Sequence, residues 1–143
     1  MWEHDFKRFP ELTNSQMDFY YFDSPHKQIT ENFMAKVVKV TDGDTIRVEW
    51  EERDFTFPIR FIDTDAPELP TRAGIKSQRW LEKNILGKKV EILIDPTNRV
   101  EKWGRLLGEI LYQGININKQ SILENFAGRF IDATTTDEQT QFN

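Results

Sequence analysis

From Met34 onward, apolar and polar residues alternate in short runs. Val38 and Val40, then Ile46, Val48 and Trp50, then Phe55, Phe57, Ile59 and Phe61 recur at every second position. That period turns one face of a strand to a core and the other outward. Thr41-Asp42-Gly43-Asp44 separates the first two runs, and its Asp-Gly pair is expected to supply the positive φ of a tight hairpin. Glu51-Glu52-Arg53-Asp54 makes the second turn. Pro58 has no N–H to give a ladder, so the third strand is expected at an edge or a bulge.

The period changes at Thr71. Ile75, Trp80, Leu81, Ile85 and Leu86 share a helical face, and Gly87 follows as a helix end prefers. Val90, Ile92 and Ile94 give a fourth strand, and Leu106 to Tyr112 a fifth. A last helix is expected from Asn116 or Asn118 to Ala127, stopped by Gly128. Ahead of all this, Thr13-Asn14-Ser15 can cap a short helix through Met17 to Phe22.

Three parts follow from this pattern. Residues 1–34 are an aromatic-rich acidic extension, densest at Phe19-Tyr20-Tyr21-Phe22 and expected to pack on the core. Its rings also suit a homodimer contact. Residues 35–130 form the main domain, and 131–143 a polar tail. Three meandering strands, a helix, two strands and a helix match a five-stranded Greek-key β-barrel of the oligonucleotide-binding (OB) type. The fold class is therefore α+β, a barrel with two to three helices.

Composition removes several alternatives. The chain of 143 residues has no Cys and two His, which excludes disulfide scaffolds, zinc–thiolate sites and three-His metal centres. No apolar run approaches the ~20 residues of a membrane span. The first eight residues carry charges where a signal peptide has its apolar core, so an intracellular location is expected unless a leader was removed. Nineteen Lys+Arg against twenty-four Asp+Glu give a net charge of -5, which at face value argues against a polyanionic partner.

Three segments change that picture. Asp42-Gly43-Asp44-Thr45 places carboxylates at the first hairpin. Arg60-Phe61-Ile62-Asp63-Thr64-Asp65-Ala66-Pro67-Glu68 puts a guanidinium on the third strand and two acids at or just past its end. Glu101-Lys102-Trp103-Gly104-Arg105 leads into the fifth strand. Each alone fits an ordinary turn or a solvated ion pair. Together they hold what phosphodiester hydrolysis needs. Asp44 and Asp65 are hard oxygen donors for Ca²⁺. Glu68 can orient or deprotonate a water. Arg60 and Arg105 can fork onto phosphate oxygens. Arg99 lies outside this set, and its alanine variant is expected to leave turnover nearly intact.

Over residues 35 to 128 the sequence resembles the staphylococcal nuclease, or thermonuclease, family. The resemblance rests on the same three segments, in that order and with family-like gaps. It implies an OB-fold barrel and Ca²⁺-dependent endonuclease activity on DNA and RNA, with loss of the 5′ oxygen and 3′-phosphate products. Asp44 and Asp65 match the metal carboxylates, and Ala66 a position that offers its backbone carbonyl to the metal. Glu68 matches the proposed general base, Arg60 and Arg105 the phosphate-binding arginines. Lys102 and Trp103 match substrate-binding positions, where Trp103 can stack on a base. Where the best-known member has stacking tyrosines, this chain has Phe126 to Ile131, and Phe130 is expected in the core. The loop from Leu69 to Gly74 is shorter, and an acidic tail replaces a basic helix. The other readings are a catalytically weak nucleic-acid-binding module and a protein-binding module.

The charge also divides unevenly. Residues 1–34 carry three basic and six acidic side chains, and residues 131–143 three acids and no Lys or Arg. Residues 35–130 carry sixteen basic and fifteen acidic, a net of +1. The acidity belongs to the ends.

Overall fold

A computed structural model of the chain describes residues 4–130. The polar tail expected over 131–143 lies outside the described residues.

Five strands close into a barrel. β1 (Phe33–Asp42) pairs antiparallel with β2 (Thr45–Glu49), and β2 with β3 (Phe57–Phe61). β1 also pairs with β5 (Lys89–Leu93), and β5 with β6 (Leu106–Tyr112). A parallel ladder from Ile59↔Leu106 to Phe61↔Gly108 joins β3 to β6 and closes the ring. This is the expected five-stranded OB-type barrel with helices. Pro58 pairs with Arg47 but precedes the first β3–β6 pair, so its missing N–H falls where that ladder is open. Two short strands, β4 (Thr64–Asp65) and β7 (Ile115–Asn116), lie outside the ring.

Burial follows the alternation with one shift. Ile46, Val48, Phe57, Ile59 and Phe61 point into the core, so Arg47 and Arg60 point out. On β1 an irregularity between Val37 and Lys39 turns Val37 and Val40 inward and leaves Val38 only half-buried. A bulge adds one residue and resets the alternation. The helix α2 (Arg72–Ile85), capped by the Thr71 side chain, packs on β1 and adds Leu81 and Ile85 to the core. Leu86, expected on the buried face, ends the helix and is exposed.

The last helix, α3 (Ile117–Leu123), starts at an Asn116 cap as expected but ends earlier than expected. Asn125 takes the left-handed conformation, φ 63°, and stops it. Gly128 is instead the first residue of β8 (Gly128–Arg129), which pairs with β4 as Asp65↔Gly128 and Thr64↔Arg129. That ladder carries Phe130 toward the mouth of β3.

The segment before β1 contains α1 (Asn14–Tyr20), closed by a Thr13–Gln16 capping box, and a 3₁₀ turn Tyr21–Asp23. Leu12 and Ile29 are buried. Buried Arg99 donates to Ile29 O at 2.7 Å, Leu12 O at 3.0 Å and Asn14 Oδ1 at 3.1 Å. The buried Glu11 carboxylate lies between Arg53 and Arg99. Phe19 and Phe22, by contrast, are 79% and 95% exposed, so these two rings of the cluster do not pack on the barrel. Exposed rings alone do not support the homodimer expected there.

Candidate active site

The β1–β2 turn positions the first carboxylate. Gly43 is not in the positive-φ conformation expected of it. It is required by crowding: a Cβ there would lie 1.9 Å from Ser77 Oγ and 2.7 Å from Ala66 Cβ. α2 and the loop after β4 therefore press on this turn. Asp42 Oδ1 accepts from the Asp44 N–H at 3.0 Å and fixes its shape.

Asp44 is buried and heavily bonded. Its Oδ2 accepts from the Ala66 N–H at 2.8 Å, and its Oδ1 from Thr45 Oγ1 at 3.1 Å. Burial, then the neighbouring Asp42 carboxyl, raises its pKa from 3.8 to about 6, against the pull of the Ala66 N–H and Arg60.

Arg60 links the two carboxylates. Its Nη1 donates to Thr64 O at 2.6 Å, Phe61 O at 2.9 Å and Asp44 O at 3.5 Å. Those carbonyls fix the plane of the guanidinium. Its Nη2 then lies 3.5 Å from Asp44 Oδ2 and 3.7 Å from Asp65 Oδ1. The Asp65 side chain is 61% exposed, so the cluster opens to solvent on that side. Phe130 lies over the same guanidinium, 5.8 Å from ring centroid to Cζ, and is half exposed. It is not the core residue that the sequence suggested.

The other expected groups have partners outside this cluster or are exposed. Glu68 is exposed, and its backbone carbonyl accepts from Thr71 N–H at 3.1 Å. Arg105 forks onto Glu101 through Nε at 3.2 Å and Nη2 at 3.3 Å. Lys102 Nζ lies 5.3 Å from the Trp103 ring centroid, and Trp103 is 66% exposed. Ala66 meets Asp44 through its N–H. Arg99 is structural, as its buried bonds show, and does not serve as a neutral control.

Asp42 and Phe130 are the site neighbours that sequence reasoning missed. In the sequence Asp42 lies inside the Asp42-Gly43-Asp44-Thr45 motif but reads as turn chemistry. Phe130 gave no signal, because a two-residue ladder brings it to Arg60.

Among the described residues, no three His, Asp or Glu side chains form a ready metal cluster. The donor set still fits one hard cation. Two carboxylates already share a positive group, Arg60 Nη2, and all their donors are oxygens. A cation between them would also relieve the cost of ionising buried Asp44.

Strand order, closure and three helices define an OB-fold α+β domain, with an acid–guanidinium cluster at the mouth of its third strand. The family model for staphylococcal nuclease homologues matches residues 58–143. The chain belongs to that family. An Escherichia coli protein called an uncharacterized endonuclease is 33% identical over 86 residues, which cover 59% of this chain and 53% of the relative. A Haemophilus influenzae protein of the same description is 29% identical over 97 residues, 68% of this chain and 52% of the relative. An uncharacterized protein of Methanocaldococcus jannaschii is 27% identical over a 155-residue alignment, 85% of this chain and 74% of the relative. The chain thus spans about half the length of the endonuclease-named relatives. No helix of the described residues is long and apolar enough to cross a membrane.

Proposed function

We propose that this chain is a Ca²⁺-dependent endonuclease that hydrolyses phosphodiester bonds of DNA and RNA and leaves 3′-phosphates. The observation that carries this reading is Arg60 Nη2, held by three carbonyl contacts of Nη1 and aimed between Asp44 and Asp65. Family membership and the endonuclease-named relatives support it.

Asp44, Asp65 and the Ala66 carbonyl would hold Ca²⁺. When bound, the ion supplies positive charge beside the phosphate. Arg60 binds the phosphate oxygens, and its fixed plane spares it reorganisation as charge builds there. Exposed Glu68, on the loop ahead of α2, takes the proton of the attacking water, and the 5′ oxygen leaves. Arg105 reaches the phosphate once it gives up or shares Glu101.

That last requirement favours a second reading, a catalytically weak nucleic-acid-binding module. One experiment decides. Plasmid and single-stranded DNA are incubated with the pure protein in Ca²⁺ or in EGTA, and product ends are assayed for 3′-phosphate. Cleavage in Ca²⁺ alone with 3′-phosphate ends is expected. Binding without cleavage at any Ca²⁺ concentration overturns the enzyme reading.

A further inference from the structure

Lys7, Arg8 and Arg47 are cations with no part in the hydrolysis above. Arg47 on β2 is paired with Pro58 on β3, and Pro58 and Arg105 immediately precede the first β3–β6 pair. Arg47, Pro58 and Arg105 therefore share a row on the outer face of the barrel. The N-terminal segment walls this row from the other side. Phe9 packs on Gly104, where a Cβ would lie 2.6 Å from the ring and where φ is +85°. Arg8 lies 5.1 Å from the Phe9 ring centroid. The result is a groove of about 170 Å³ lined by Lys7, Arg8, Arg47, Trp103 and Arg105.

Its charge is poorly compensated. Asp5 accepts from the backbone N–H groups of Lys7 and Arg8, at 3.2 and 3.1 Å, and not from their side chains. Among the described residues, the Lys7 ammonium and Arg8 guanidinium form no ion pair and are exposed. Arg47 is held by Thr56, through Nε at 2.8 Å and Nη2 at 3.2 Å, and not by a carboxylate. The one acidic lining residue, Glu11, is buried and paired with Arg53 and Arg99. Glu101 compensates Arg105. Two of the three basic residues of an acidic extension thus meet at one groove.

We propose that this groove is a strand-binding subsite, in which Lys7, Arg8 and Arg47 hold backbone phosphates of single-stranded nucleic acid away from the scissile bond. Cations at the wall suit phosphates, and exposed Trp103 at the rim suits an unstacked base. An acidic peptide would offer the charge without the π-face. The proposal rests on the nuclease reading, which says what polymer arrives.

The test uses the full chain and three proteins: wild type, Lys7→Ala/Arg8→Ala, and Lys83→Ala/Lys88→Ala as a charge-matched control outside the groove. Binding of labelled oligo(dT) is measured in EGTA against salt, and Ca²⁺-dependent cleavage on oligo(dT) and on the dinucleotide TpT. Loss of two phosphate contacts should flatten the log K–log salt slope by about 1.4 and weaken low-salt binding about tenfold relative to the control. KM for oligo(dT) should rise with kcat and TpT cleavage unchanged. Lys7→Arg/Arg8→Lys, which keeps both charges, should retain the wild-type slope. A slope and affinity equal to the control's would overturn the subsite. Failure of the wild type to bind oligo(dT) would overturn it as well. If the wild type binds with a slope that Lys7→Ala/Arg8→Ala lowers, yet cleaves nothing, the groove stands and the hydrolysis fails.

Discussion

Asp44 is a carboxylate placed where it ionises poorly. Burial and Asp42 raise its pKa to about 6 from 3.8. Between those values the folded, metal-free protein holds a proton that the unfolded chain has released. The stability that this proton contributes is present below the unfolded value and lost as pH rises through about 6. The shift corresponds to something on the order of 3 kcal/mol. Asp44→Asn removes the titration. In EGTA, thermal unfolding of the wild type should lose stability from about pH 4 to pH 7 relative to Asp44→Asn, and identical profiles would refute this account. Ca²⁺ should stabilise the wild type and leave Asp44→Asn unmoved. Arg60 gives the second residue-scale prediction. Its Nη1 is committed to carbonyls and its Nη2 to the carboxylates, a fork that Lys has no way to reproduce. Arg60→Lys should lower kcat by about 10²-fold or more with the fold retained. Near-full turnover would mean that Arg60 does not clamp phosphate.

At the scale of elements, the alternation of Ile46, Val48, Ile59 and Phe61 was enough to orient Arg60 outward, because side chains alternate strictly along a strand. The β1 bulge, the early stop at Asn125 and the β4–β8 ladder were not legible. They depend on a one-residue register shift, on one residue in the left-handed conformation and on a two-residue pairing, each too short to leave a period. Among the site residues, Asp44, Arg60, Asp65 and Ala66 converge, and Gly43 was legible as required but for the wrong reason. The Glu11–Arg53–Arg99 cluster escaped detection because nothing in sequence links positions so far apart. It has a measurable consequence. Arg99 holds three acceptors of the N-terminal segment and neighbours buried Glu11. Arg99→Ala should cost about 3–5 kcal/mol in chemical denaturation, as it takes one of two cations from buried Glu11 and the donor from three acceptors. A loss under about 1 kcal/mol, the range of an exposed pair, would show that the cluster is not what anchors the segment.

For the whole molecule, the net charge of -5 misleads because of where its parts lie. The extension's Glu11 is buried between two arginines, while its Lys7 and Arg8 face the groove. Beyond residue 130 the sequence adds three acids, Asp132, Asp137 and Glu138, and no Lys or Arg. Their sequence follows directly on Phe130, which lies over Arg60. Charges act through solvent over a Debye length of about 10 Å at 0.1 M salt, and over much more when salt is dilute. Neutralising the three as Asn, Asn and Gln keeps the chain length and nearly the same side-chain shapes and removes the charge. Affinity for oligo(dT) should rise severalfold in dilute salt and converge on the wild-type value as salt screens the difference. The salt slope should steepen, because the same cations then bind phosphate without a competing local repulsion. An affinity that stays equal at every salt concentration would mean that these three acids exert no field on the bound strand.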